Sequence, residues 1–300
     1  MNVIRLLKNK LIYEKEKFVT KCNHLHQHFV RQPQIISMDE TIAAIKERKA
    51  SIARYGDGEF DIIFHRTEGF QKESKSLSKR LREILKKNNL SDRFLVALPD
   101  CFGELSQFTP KAQKHWQIRL DKERYKWVKC LNTKYPYYNS QITRFYFDWQ
   151  DKTKAPTWVA ALKDVWDNQN ILIVEGEFTR LGVNNDLFDN AKQIRRFLCP
   201  AENAYDKYDE ILSTIKSLVS KDELIIMALG PTATVLAYDL FLEGFWAFDI
   251  GHVDIEYEWM KLQTTTKVSI PGKYVNEVAN GNIVSDFINS EYKSQIVAKI

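Results

Sequence analysis

Asp57 and Glu59 stand on either side of Gly58, directly after Gly56, in a segment that reads SIARYGDGEFD from Ser51 to Asp61. Two carboxylates on so short a turn are hard oxygen ligands, and the glycines let the backbone approach a ligand closely. Such a pair leaves most positions of a Mg²⁺ or Mn²⁺ ion to substrate oxygens, which suits an ion bridging to a diphosphate. Arg54, just upstream, would neutralise part of the same anion. The stretch has a second reading as a strand–turn–helix junction, with Asp57 as N-cap and Glu59 in the first helical turn.

A second concentration lies at DIGHVDIEYE, where Asp249, His252, Asp254, Glu256 and Glu258 fall within ten residues. If the chain is extended from Asp254, the last three carboxylates share one face. Crowded and buried, they would raise one another's pKa unless a cation intervened, which suits a metal ligand beside a general base. If it is helical, Asp254 is a cap with an acidic first turn after it. Gly230, Pro231 and Thr232 read as a helix start whose free N–H groups would accept a phosphate. That stretch lacks the lysine of a P-loop, and a plain proline-started helix explains it equally. Glu177, Arg180, Asn185 and Asp186 form a further polar cluster after an apolar run.

These clusters need elements to hold them. Ser37-Met-Asp-Glu40 has the form of a capping box ahead of a helix to about residue 49. Apolar strands are predicted at residues 51–55, 93–98, 170–174, 193–198, 223–229 and 246–250, with an alternating strand at 143–148. Helices are predicted at 75–87, 110–131, 156–167, after 186, at 204–220 and at 231–243. Strands alternating with helices imply an α/β, Rossmann-like fold: a mainly parallel sheet with helices on both faces. Ligands of such sheets bind beyond the strands' carboxyl ends, where each polar cluster sits.

Composition narrows the class. With 44% hydrophobic residues, the 300-residue chain can bury a real core. Cys22, Cys101, Cys130 and Cys199 are scattered, so reduced thiols and a cytoplasmic location are expected rather than a disulfide framework or zinc site. Residues 1–31 carry seven Lys/Arg against two Glu, which accounts for the whole net charge of +5. A nucleic-acid partner is not expected, because the basic excess sits on an appendage rather than on the folded body. In that appendage Val3, Ile4, Leu7, Leu11 and Phe18 fall at roughly helical spacing between lysines. It therefore reads either as a helix packed on its own domain or as a contact to an anionic membrane or a partner enzyme.

Taken together, Arg54–Glu59, Glu175–Gly182 with Asn185 and Asp186, Leu229–Pro231 and Asp249–Trp259 resemble one family. It is the GT-D-fold glycosyltransferases, first catalogued as a domain of unknown function and found in bacterial surface-glycan and adhesin-glycosylation loci. The resemblance spans about residues 35–262, and GDGE matches the family's DxE motif at Asp57 and Glu59. The ends of the chain lie outside it, so three segments are expected, a basic helical extension at 1–34, a GT-D-like domain at 35–275 and a helical tail at 276–300, of which the resemblance implies the middle one. It also implies Mn²⁺- or Mg²⁺-dependent transfer of a hexose, glucose foremost, from a UDP-sugar to a hydroxyl of a glycan or glycoprotein acceptor.

In that scheme Asp57 and Glu59 hold the metal, and Arg54 and Arg180 contact phosphate. Asn185 and Asp186 grip uridine or ribose, with Gly56, Gly58, Glu177, Gly230, Pro231 and Thr232 around the nucleotide. Glu256 serves as the base, with Asp254 and His252 as alternatives. Two rival readings use the same residues: a metal-dependent phosphohydrolase of nucleotides or sugar phosphates, and a non-catalytic nucleotide- or glycan-binding partner.

Overall fold

The computed structural model describes residues 2–67, 69–284 and 289–300. In chain order the elements are α1 (Asn2–Phe29), α2 (Met38–Arg48), β1 (Ser51–Arg54), α3 (Asp57–Ile63), α4 (Lys75–Ile84), β2 (Phe94–Leu98), α5 (Pro110–Cys130) and β3 (Tyr138–Asn139). Then follow α6 (Ala155–Lys163), β4 (Asn170–Gly176), β5 (Gln193–Cys199), α7 (Tyr208–Leu218), β6 (Leu224–Ala228), α8 (Pro231–Leu242), β7 (Trp246–Asp249), α9 (Val253–Lys261), α10 (Ser290–Gln295) and β8 (Ile296–Lys299).

The strands form one sheet in the order β3-β2-β1-β7-β6-β4-β5-β8, and every pairing among the described residues is parallel. The chain starts in the middle at β1, builds outward to β3, then crosses to build the other half. It returns to lay β7 beside β1. The topology therefore switches direction between β1 and β7, and a crevice opens there at the strands' carboxyl ends.

Both faces of the sheet are covered, which explains the nearly unbroken apolar runs. Ala53, Val96, Leu172 and Val174 point into a core with α3, α4, α5, α7 and α8. Ile52, Leu95, Ile171 and Ile173 point the other way, toward α2, α6 and α9. The predicted capping box is present: Glu40 N–H donates to Ser37 Oγ at 3.2 Å and Ser37 N–H to Glu40 Oε2 at 3.3 Å.

Three expectations are corrected. Residues 143–148 alternate in polarity but form no strand; Ser140–Thr143 is a 3-10 turn. The N–H groups of Tyr146 and Phe147 donate to the carboxylate of Glu256 at 3.0 and 2.9 Å instead of to a neighbouring strand. No helix follows Asp186. The six residues between Asp186 and the start of β5 at Gln193 form turns instead, with Asp189 N–H bonded to the Asp186 carbonyl at 3.4 Å and Ala191 N–H to the Phe188 carbonyl at 3.0 Å. Among the described residues of the C-terminal segment, expected to be helical, the six-residue α10 is followed by β8, which joins the sheet beside β5.

The extension is helical, as expected, and its C-terminal half grips α5. Asn23 Nδ2 donates to the Asp121 carbonyl at 2.6 Å, and Tyr125 N–H donates to Asn23 Oδ1 at 2.8 Å. Beneath it, Phe60 of α3 stacks on Trp127 of α5, with ring centroids 4.2 Å apart and planes 6° from parallel. Arg119 of α5 forks onto Asp61 of α3 at 3.1 and 2.6 Å. These contacts fix the helix whose first turn carries Asp57 and Glu59. Phe60→Ala empties a fully buried ring position and should cost about 3–5 kcal/mol of stability, read as a lower urea midpoint with an unchanged slope.

Candidate active site

A cavity of about 520 Å³ lies at the switch point, a size suited to a nucleotide or small ligand. Its floor comes from the ends of β1, β4, β6 and β7, and α5 contributes His115 and Trp116 from one side.

The floor is organised by Arg54 and Asp249. Arg54 Nη2 donates to Asp249 Oδ1 at 3.1 Å and Arg54 N–H to Oδ2 at 3.2 Å. Arg54 Nε donates to the Asp249 carbonyl at 2.6 Å, and Nη1 to the Ser140 carbonyl at 3.2 Å. Thr234 Oγ1 lies 3.2 Å from Asp249 Oδ2 and 3.0 Å from the Arg54 carbonyl. Gly251 makes room for this clasp: its φ is +49°, and a Cβ there would stand 2.1 Å from Arg54 Nη2. Arg54 is thus a brace between two strand ends that shows one edge to the cavity, rather than a freely placed phosphate ligand.

Asp57 and Glu59 both line the cavity. The helix-start reading is also correct, with Gly56 rather than Asp57 as the N-cap. Glu59 Oε2 accepts from Gly56 N–H at 2.6 Å. One turn therefore both begins α3 and presents two carboxylates. Their charge states differ. Burial and the nearby charge of Asp249 push Glu59 up to about 7. Burial also opposes the charge of Asp57, but the hydrogen bond from His115 and the charges of His115, Arg119 and Arg144 outweigh it and hold Asp57 at about 2. His115 Nε2 is 3.0 Å from Asp57 Oδ2.

No group of three His, Cys, Asp or Glu side chains among the described residues could hold a metal alone. Asp57 and Glu59 nevertheless both line the cavity, two residues apart on the same turn. A carboxylate pair of this kind fits an ion that takes its other ligands from substrate and water.

The acidic stretch after β7 is helical, and its carboxylates diverge. Asp254 and Glu258 lie one turn apart and share Lys273 Nζ at 2.7 and 3.1 Å. Asn185 Nδ2 also donates to both, at 2.8 and 2.6 Å. Asp254 borders the cavity, but a buried cation and the Gly182 N–H (3.0 Å) saturate it.

Glu256 does not line the cavity, which corrects its expected role as the base touching an acceptor. It is 0% exposed, and Oε2 is taken by the N–H groups of Tyr146 and Phe147. Burial pushes it up to about 7 despite the opposing charge of Arg144, and Oε1 is buried without a partner among the described residues. His252 does face the cavity. Burial and the charge of Arg144 bring it down to about 3, leaving a neutral imidazole 3.6 Å from Glu277.

Several other predicted ligands are structural. Arg180 is buried and donates to the Gly272 carbonyl at 2.7 Å. Glu177 pairs with Lys299 of β8 at 2.8 Å. Asp186 accepts from Lys163, Lys261 and Tyr257, and those bonds hold its carboxyl well below the usual range. None of these, nor Asn185, lines the cavity. Of the helix-start trio, Gly230 borders it, while Pro231 and Thr232 are buried behind.

Sequence reading missed residues that only the fold brings together. Arg144 pairs with Glu277 at 2.6 Å, and Lys267 also bonds Glu277. Burial opposes the charge on Glu277, but Arg144 and Lys267 hold its carboxyl well below the usual range. Asp148 lines the cavity, half-buried, with no hydrogen bond or ion pair to its carboxylate among the described residues. Its placement follows from the irregular path of 143–148, which the alternation disguised as a strand.

Fold and site define a Rossmann-like α/β protein with a carboxylate-bearing cavity at its topological switch point. A family model described as the glycosyltransferase GT-D fold matches residues 52–278. The chain belongs to this GT-D glycosyltransferase family. It is 37% identical over 271 residues to a probable glycosyl transferase, Gly, of Streptococcus gordonii, a match covering 90% of this chain and 39% of that protein. It is 36% identical over 268 residues to the glycosyltransferase GlyD of Streptococcus pneumoniae serotype 4, covering 89% and 32% respectively. This chain thus spans about two-fifths or less of the curated relatives it matches.

Among solved structures, a new glycosyltransferase (DUF1792) from Streptococcus sanguinis superposes with a TM-score of 0.85 at 37% identity, covering 90% of this chain and all of that one. A structure of domain of unknown function 1792, described as a distinct glycosyltransferase fold, gives 0.87 at 34% identity, covering 93% and 99%.

Two outcomes are expected at this site. Gly251→Ala should displace the Arg54 guanidinium and lower the melting temperature, while Gly244→Ala, whose Cβ would meet nothing within 4 Å, should lower it less. Glu256 binds its proton more tightly folded (about 7) than unfolded (4.5). The folded state therefore holds the extra proton between those values, and stability falls as pH rises from 4.5 to about 7. Glu256→Gln should flatten that part of a denaturation-versus-pH profile.

Proposed function

We propose that this protein transfers a hexose, glucose foremost, from a UDP-sugar to a hydroxyl of a glycan or glycoprotein, with Mn²⁺ or Mg²⁺ at Asp57 and Glu59. The observation that carries this reading is the α3 turn, where the carboxylates of Asp57 and Glu59, two residues apart, both line one cavity, the first held by His115 and the second by the Gly56 N–H. An ion bound there would supply Lewis-acid stabilisation to the diphosphate as it leaves.

The chain's own groups share the rest of the work. Arg119 (3.5 Å) and His115 (3.0 Å) hold Asp57 ionised and oriented. Arg144 and Lys267 also line the cavity, and the positive charge they bring, partly balanced by Glu277, would offset charge on the donor. The start of α8 at Gly230 turns the positive end of a helix toward the same space. Asp148 replaces Glu256 as the group that would take the acceptor hydroxyl's proton, because it lines the cavity and its carboxylate has no hydrogen bond or ion pair among the described residues. Glu256 acts instead as a positioning residue, shaping the 146–147 backbone that carries Asp148 into place.

The reading is tested by screening UDP-sugars with Mn²⁺, scoring UDP release and donor-dependent thermal shifts. Asp57→Asn should abolish metal-dependent donor binding in calorimetry and cut turnover by about 100-fold or more, the scale of losing a leading electrostatic contribution. Asp148→Asn should keep donor and metal binding but lose transfer. Wild-type metal and donor binding by Asp57→Asn would overturn the proposal. Release of phosphate or free sugar without any acceptor would favour hydrolysis instead.

A further inference from the structure

Helix α1 has two faces, and only one is used. Asn23 and His26 dock it on α5, where the His26 ring meets Tyr125 edge-on at 5.2 Å. At 100° per residue the opposite side carries Leu7, Leu11, Phe18, Leu25 and Phe29 in one stripe along the helix. These side chains stand in solvent: Leu11 is 72% exposed, Phe18 68% and Phe29 83%. Val3 and Ile4 of the predicted stripe have side chains outside the described residues. Burying such a row releases water from apolar surface, so its exposure calls for an occupant.

The flanks indicate which. Lys8 and Lys15 run along one border of the stripe, and Lys10, Lys17 and Lys21 along the other, with Glu14 as an interruption. An apolar stripe bracketed on both sides by lysines matches the boundary between acyl chains and anionic headgroups, where long basic side chains reach outward to phosphate. A second copy fits less well. The seven-residue repeat through Leu11, Phe18 and Leu25 would put Glu14, Lys21 and His28 on the companion seam, where a coiled coil needs apolar residues. Pairing two such helices would also bring two basic flanks together. No helix among the described residues is long and apolar enough to cross a membrane, so the contact would lie in the surface plane.

We propose that α1 is a membrane-surface helix that seats the protein on anionic lipid bilayers through the Leu7–Phe29 stripe and its lysine borders. Because α5 is held by α1 near Asp121 and lines the cavity near His115, lipid contact would also fix how the cavity faces the bilayer.

The test is flotation of the full chain with vesicles of phosphatidylcholine alone, or of phosphatidylcholine mixed with phosphatidylglycerol. Binding is expected only to the mixed vesicles, weakening by about ten-fold or more as salt shortens the screening length. Leu11→Ser with Phe18→Ser should abolish it, and so should Lys10→Glu with Lys17→Glu. Circular dichroism and melting temperature should stay near wild type, since these positions face solvent. Equal binding to neutral vesicles, retained binding by both double variants, or no binding at low salt would each overturn the proposal. So would a lipid-free dimer that Leu11→Ser with Phe18→Ser disperses, which would assign the stripe to a second copy.

Discussion

The site depends on one buried ion pair. Arg54 at the end of β1 and Asp249 at the end of β7 are joined by three hydrogen bonds, two of them to the carboxylate. They sit at the carboxyl ends of two paired strands whose chains then lead in different directions, so beyond the Ile52–Phe248 pairing the side chains carry the junction. Desolvating both charges is costly, and removing one partner strands the other, typically a loss of about 3–5 kcal/mol. Thr234 and Gly251 exist in relation to that pair: one lies within hydrogen-bonding reach of both, and the other leaves space for the guanidinium. Asp249 in turn helps hold the Glu59 carboxyl near neutrality, so the floor clasp reaches the proposed metal turn through electrostatics as well as packing.

Around that centre the molecule separates positioning from exposure. Asp254, which borders the cavity, forms a closed network with Glu258, Asn185 and Lys273 behind it. Asp186 and its three donors pin the β4–β5 connection to α6 and α9. These charges are satisfied internally and have little left for a ligand. The cavity instead receives side chains from helix starts and strand ends: Asp57 and Glu59 from α3, His115 from α5, His252 just before α9. Elements with buried bodies deliver short, well-fixed groups at their tips.

The sheet was legible because strands buried on both faces have no polar alternation to confuse, and six predicted runs match β1, β2 and β4–β7 closely. β8 was not legible: Ile296–Lys299 is short, alternates at the sheet's edge, and follows a polar stretch that reads as helical. At the site, GDGE identified itself because its chemistry and its turn lie in consecutive residues. Arg180, Asn185 and Asp186 misled because a polar loop needs internal bonding as much as a ligand does, and sequence does not distinguish the two. Glu256 misled for a related reason. One acidic residue among several in a short stretch looks solvated or catalytic until the fold shows two backbone N–H groups waiting for it. Asp148, Lys267 and Glu277 meet only through tertiary packing, so no spacing could have announced them.

The Arg54–Asp249 clasp has a consequence for the birth of the protein. The two residues are 195 positions apart. On one side β1 is paired early by β2, but its other edge waits for β7. At about 5–20 residues per second a ribosome needs roughly 10–40 s to make the intervening chain. For that time an apolar strand and an unneutralised arginine stand at an open sheet edge, a form that invites chaperones or the wrong strand. The half-sheet of β1–β3 is made first yet is finished by almost the last strand to emerge. A pause in translation between them would therefore prolong the time for which that edge stays open to the wrong partner.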